Sequence, residues 1–301
     1  MKCFVILVKR NCRLFFKDKG MFFSSLITPI ILLVLYATFL ASVYRDSFVS
    51  ALPQNFSVDE KLIDATVGGQ LISSLLAVAC VTVAFCSNLL MVQDKVSGAL
   101  RDLTVTPVRR SVLSGSYFCA SAASTLTITF TALAASLLYL RIFSGWYMSV
   151  RDVLLLILDV LLLTLFGVAL SSCANFALST QGQASAVGTI VSAGYGFVCG
   201  AYMPIASFPE GLQKALSFLP GTYGTALIRN HCLSGVYEEM ARVGFPAEVV
   251  DGIRDGIDCN LYFFGNQVSN AAMYLILAGS VVVLTAVYIL LNYLLSRRSR
   301  A

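Results

Sequence analysis

The chain has 301 residues, of which 57% are hydrophobic and 12% charged, and its formal net charge is +5. Ordinary soluble domains carry about twice that share of charge, and with a mean hydropathy of +0.81 this chain cannot furnish the polar surface of a soluble fold of its size. The positive charge clusters beside apolar stretches, which suits an anionic membrane surface and argues against nucleic acid as a partner.

Residues 2–19 are basic and apolar by turns. Phe4, Leu7, Val8, Leu14 and Phe15 fall on one helical face, and Lys9, Arg13 and Lys17 recur every fourth position on another. Lys9-Arg10 cuts short the apolar core that a signal peptide requires. The periodicity predicts an amphipathic helix over 1–20 lying in the inner membrane interface, against the alternative of a charge cluster with no defined helix.

A membrane-spanning helix needs about 20 predominantly apolar residues. Charge-free stretches cover 20–44, 65–93, 111–140, 160–209 and 260–296. The fourth is too long for one helix and breaks at the small, polar run from Leu178 to Gln183. The expected fold is therefore all-α and integral to the membrane. A transmembrane domain over 21–301 has six helices, near 21–44, 66–92, 112–140, 152–178, 183–204 and 270–295.

Lys and Arg set the orientation. Lys2, Lys9, Arg10, Arg13, Lys17 and Lys19 precede the first span, Lys95, Arg101, Arg109 and Arg110 follow the second, and Arg297, Arg298 and Arg300 follow the last. The opposite loops hold most of the acids. The reading is a multi-pass protein of the plasma membrane with both termini cytoplasmic.

The chemistry available is sparse. His231 is the single histidine, and no Cys/His grouping has metal-ligand spacing, so neither a metal site nor His-based catalysis is expected. Cys232 and Cys259 are the two cysteines in outer loops, and a bond between them is expected if that side is oxidising. No G-x-x-x-x-G-K-[ST] run is present to cradle ATP phosphates, and no G-x-S-x-G or H-E-x-x-H run. Asp159, about 10 Å in from Asp152 at the edge of its span, is the single acid or base deep within the spans. One acid does not make a proton relay, and it must face protein or water. A pathway role and a contact with outer headgroups are both open.

Small residues repeat at Gly188, Ser192, Gly196 and Gly200 along the fifth predicted helix. Such a stripe lets helix backbones approach closely, within the chain or across a dimer. Between 94 and 110 lies a short cytoplasmic segment in which Val96, Leu100 and Leu103 share one helical face and Asp94, Arg101 and Asp102 border it. Pro107 then redirects the chain into the third span. An amphipathic helix of this kind suits a groove on another protein, with the apolar face inserted.

The run Gly98-x-Leu100-x-x-Leu103-x-x-Thr106-Pro107-x-x-Arg110 resembles the coupling motif of the ABC-2 type transporter permeases. A second stretch, Gly200-x-x-x-Pro204, Pro209, Leu212, Leu216, Pro220-Gly221-Thr222-Tyr223 and Arg229, is similar to the part of those permeases after the fifth span. There, within the outer loop 205–268, Leu212, Ala215, Leu216 and Leu219 form an apolar stripe too short to span and bounded by prolines. Together with the N-terminal helix and the six-span plan, the resemblance covers nearly the whole chain. It implies that residues 94–110 form a coupling helix on a separate ABC ATPase subunit, which binds the ATP and Mg. It also implies that the second stretch is a re-entrant helical hairpin in the outer leaflet. The chain would then be the permease of an ATP-driven exporter, not itself an enzyme and without a cofactor of its own, paired with itself or with a related permease. The small loop between spans three and four and the enlarged last outer loop look like drug, peptide or lipid exporters of the family, with a polysaccharide exporter the open alternative. The family often has acids flanking the coupling glycine, where this chain has Val96 and Arg101 with Asp94 and Asp102 alongside. A gradient-driven carrier or channel and an intramembrane lipid-modifying enzyme are the other classes.

Overall fold

The computed structural model describes residues 2–36, 39, 41–42, 45–46, 59–106 and 108–298. Helix α1 (Lys2–Lys17) meets α2 (Lys19–Leu35) at a 70° bend. The bend is set at Asp18, whose Oδ1 accepts the Met21 amide at 3.0 Å and so starts a new helix. α3 (Glu60–Val96) is followed by the short α4 (Ala99–Val105) and by α5 (Arg110–Tyr139), which a π-helical turn prolongs to Ser144. α6 (Val150–Phe176) opens with a reciprocal cap between Ser149 and Asp152. α7 (Gln181–Val198) opens on Thr180, whose hydroxyl accepts the Gln183 amide.

Beyond α7 come a 3₁₀ turn (Ile205–Ser207), α8 (Glu210–Leu216), α9 (Pro220–Arg242) and α10 (Ala247–Gly256). A small antiparallel hairpin of β1 (Tyr262–Phe263) and β2 (Asn266–Gln267) leads into α11 (Asn270–Arg298).

α3 is the axis of the molecule. In its apolar window 89% of residues are buried, and α1, α2, α5, α6, α7 and α9 all pack on it. Small side chains permit this crowding. A Cβ at Gly167 of α6 would stand 2.9 Å from the Cys80 carbonyl of α3, so those two backbones touch. Polar pairs fix the register: Ser87 with Ser121 and Thr125 of α5 at 2.6 and 2.9 Å, and Asn88 Nδ2 donating to Ser171 and Ser172 of α6 at 3.0 and 2.7 Å. In a membrane such contacts contribute about 0.6 kcal/mol each, so apolar packing of Leu76, Val81, Leu163, Leu227 and Leu277 carries most of the stability.

Among the described residues, α3, α5, α6 and α11 are each long and apolar enough to cross a membrane, and α1 with α2 add a fifth if that bent pair is one span. The fold is an all-α membrane fold. α7 has 18 residues and is diluted by Gln181, Gln183 and glycines. It stops at Val198, short of the expected 204. The expected first span ran to 44, and Pro107 was expected to end the coupling segment; residues 37–38, 40, 43–44 and Pro107 lie outside the described residues.

Candidate functional site

Gly98 starts α4 with φ of +84°, a left-handed conformation that favours glycine, and so turns the chain sharply out of α3. Thr106 ends α4, its hydroxyl donating to the Leu103 carbonyl at 2.6 Å. Leu100 and Leu103 were expected to insert into a partner; the structure turns them the other way. They pack half-buried against the cluster of Leu7, Phe15, Met21, Leu90 and Leu113. The apolar face of an amphipathic helix is satisfied equally well by its own core, and here that core lies within reach. The open face carries Arg101, Asp102 and Val105, with Val105 84% and Val96 49% exposed.

Asp94 was expected at a polar rim and is instead buried. Its carboxylate accepts Arg10 Nη1 of α1 at 2.6 Å and the Tyr117 hydroxyl of α5 at 2.5 Å. Next to it Lys95 Nζ donates to the carbonyls of Phe176 and Leu178 at 2.6 and 3.0 Å and closes the end of α6. Three helices thus hold the base from which α4 projects. Arg110 belongs to the first turn of α5 and is exposed.

The expected outer hairpin is helical. Pro204 precedes the 3₁₀ turn, Pro209 caps α8, and Pro220 is the first residue of α9. The Tyr223 hydroxyl donates to the Ser217 carbonyl at 2.5 Å and Thr222 Oγ1 to that of Leu216 at 3.2 Å, so α9 closes the end of α8. Leu216 is buried and Leu212 is 43% exposed. The Lys214 ammonium, bonded at 2.7 Å, holds the exposed Glu210 carboxyl below its usual range. The second arm has 23 residues and is mostly buried, longer than the short hairpin expected.

Arg229 on that arm is 1% exposed. It donates to the carbonyls of Ile257 and Gly200 at 2.5 and 2.8 Å and to Ser74 of α3 at 3.2 Å, and it lies 3.8 Å from Asp258. Asp258 in turn accepts the Ile205 amide at 2.6 Å. Burial pushes the Asp258 carboxyl above the usual range, opposed by the Arg229 charge and the Ile205 and Ala206 amides. This node ties the hairpin to α3 and to the end of α7.

The family model described as ABC-2 type transporter matches residues 2–231. The chain belongs to the ABC-2 type transporter family. No curated protein matches it.

In this ABC-2 chain the small-residue stripe is not a single helical face. Gly188 and Ser192 line a crevice of 940 Å³ between α2 and α7, floored by Cys86 and Leu89 of α3. Gly196 is covered from within: a Cβ there would run into the Tyr202 ring. Gly200 lies past the helix end with φ of +73°. A four-residue repeat marks a stripe only while the helix continues, and this one stops at Val198.

Asp159 of the ABC-2 chain is fully buried and faces protein. His231 Nδ1 of α9 and the Tyr274 hydroxyl of α11 each lie 2.5 Å from its carboxylate. A contact with outer headgroups is thereby ruled out. Cys232 and Cys259 are both buried and stand as free thiols, with Cys259 Sγ 3.1 Å from the Tyr237 hydroxyl. Sequence reasoning missed Arg10, Tyr117, Tyr274 and Asp258 as partners. Tyr117 and Tyr274 are polar tips on largely apolar helices, whereas Arg10 lies in a basic helix and Asp258 in a turn, each with its partner far away in the chain.

Proposed function

We propose that this chain is the permease half of an ATP-driven exporter, pairing with itself or with a related chain and driven by a separate ATPase subunit that holds the ATP and Mg. It spans the membrane six times, through α2, α3, α5, α6, α7 and α11, with α1 in the inner interface and both ends in the cytoplasm. The observation that carries the reading is the mounting of α4. Its apolar residues grip the chain's own core while Val96, Arg101, Asp102 and Val105 are left open. A contact made there bears directly on α3, which most of the other helices pack upon. When two ATPase subunits close on ATP, a push at α4 would shift α3 together with α1 and α5, and so bias inward against outward states.

The substrate pathway is assigned to the crevice between α2 and α7, whose exposed Ile27, Ile31, Leu35 and Phe197 favour an apolar or amphiphilic substrate: a drug, a peptide or a lipid. α8 and the start of α9 form the re-entrant hairpin, with Leu216 and Tyr223 buried against the rest of the chain. The Asp159–His231–Tyr274 cluster favours the second reading, a gradient-driven carrier, since a buried acid beside an imidazole can exchange a proton. Reconstituting the chain with and without an ATPase subunit encoded alongside it separates the two. The exporter transports only with ATP and the subunit, and the carrier transports on a pH gradient alone.

A further inference from the structure

A second crevice, of 720 Å³, runs between the first turns of α5 and the last turns of α11. Arg109, Arg110 and Ser111 stand at its mouth, and Phe118, Cys119 and Ile289 form walls further along α5 and α11. Its floor is fixed. Ser114 Oγ donates to Asn292 Oδ1 at 2.6 Å, the Tyr288 hydroxyl donates to the Ser114 carbonyl at 3.2 Å, and the Phe118 and Tyr288 rings stack at 5.9 Å.

The charge here is one-sided. Among the described residues no carboxylate lines the crevice, and neither Arg109 nor Arg110 has a side-chain partner. α5 is 30 residues long, and no side chain caps its first turn, so its free amides add partial positive charge at the same end. Two guanidiniums and a helix N-terminus above an apolar groove match a phosphate above an acyl chain. Free phosphate or a soluble metabolite would leave Phe118, Cys119 and Ile289 without a role.

We propose that this crevice binds one anionic phospholipid of the inner leaflet. Its phosphate sits at Arg109, Arg110 and the start of α5, and one acyl chain lies along Phe118, Cys119 and Ile289. Basic pockets between helices on the cytoplasmic side suit anionic headgroups, and the volume falls in the range of small-molecule sites. Thr104 and Thr106, at the end of α4, line the same crevice. The lipid therefore borders the proposed ATPase contact and would brace α4 against α5. The proposal rests on the orientation given above, and it is read on the permease alone, so its failure leaves ATPase docking untouched.

The test uses the full chain in nanodiscs of phosphatidylcholine with phosphatidylglycerol, extracted into detergent, with bound phosphatidylglycerol counted by native mass spectrometry. The wild type is expected to retain one molecule per chain. R109Q/R110Q should lower retention by about 10-fold or more, since each basic residue lost weakens the headgroup contact. R109K/R110K should keep most of it, and C119W, which fills the groove, should lose it. K9Q/R13Q, which removes exposed charge from α1, should behave as wild type. Wild-type retention by R109Q/R110Q with unchanged thermal unfolding would overturn the proposal. So would displacement of the lipid by millimolar inorganic phosphate, which would make the crevice a simple anion site.

Discussion

Arg10 and Asp94, 84 positions apart, form an ion pair of 2.6 Å that fastens α1 to the C-terminal end of α3. The two are not equally placed. The Arg10 side chain is 30% exposed, that of Asp94 8%. Removing Arg10 strands a buried carboxylate with Tyr117 alone, and losing one partner of a buried pair costs about 3–5 kcal/mol. Removing the Asp94 charge leaves an arginine that can turn to water, at about 1.5–3 kcal/mol for the lost charged hydrogen bonds. R10M should therefore lower the melting temperature in detergent more than D94N does. The reverse order would show that the pair is not the fastening described.

His231 and Tyr274 hold Asp159 where α6, α9 and α11 meet. H231A should destabilise the chain by several kcal/mol, because a buried acid loses a partner. D159N keeps the shape and should cost less. Thermal unfolding of both variants checks the order, and equal, small shifts would mean that water reaches the site.

Leu100 and Leu103 pack on the chain's own core. L100D/L103D should therefore reduce folded yield and melting temperature as well as any partner binding, because unpaired charge enters an apolar contact. A double variant that inserts and melts like wild type would return these leucines to the partner-facing side.

Gly196 should not tolerate leucine, because the Tyr202 ring occupies the space of its first side-chain carbon. Val198, 36% exposed, should accept it. Comparing assembly and transport of G196L and V198L settles the point. Equal behaviour would mean that Tyr202 moves aside freely.

The all-α membrane fold was legible because membrane spans announce themselves in charge-free length, while the caps of Thr180 with Gln183 and Ser149 with Asp152, and Pro220 at the start of α9, set where individual helices begin. What could not be read was direction. Periodicity shows that Val96, Leu100 and Leu103 share a face, but a partner groove and the chain's own core satisfy that face alike. Asp94 stands beside exposed residues in sequence, and only the fold brings Arg10 to it. Asp159 looked solitary for the same reason, its imidazole lying 72 positions away. The stripe ending at Gly200 failed differently. Its spacing presumed a helix that stops two residues earlier.

The most direct measurement is retention of the ATPase subunit by chains altered on the open side of α4. V96D/V105D changes two exposed side chains of the proposed contact, so insertion and melting should match wild type. Co-purification of the ATPase should fall by at least about 10-fold, because an unpaired charge in a desolvated contact costs more than the roughly 1.4 kcal/mol which that factor represents. ATP-driven transport should fall with it. A V96D/V105D chain that keeps its ATPase and its transport would contradict the assignment of α4 as the coupling element.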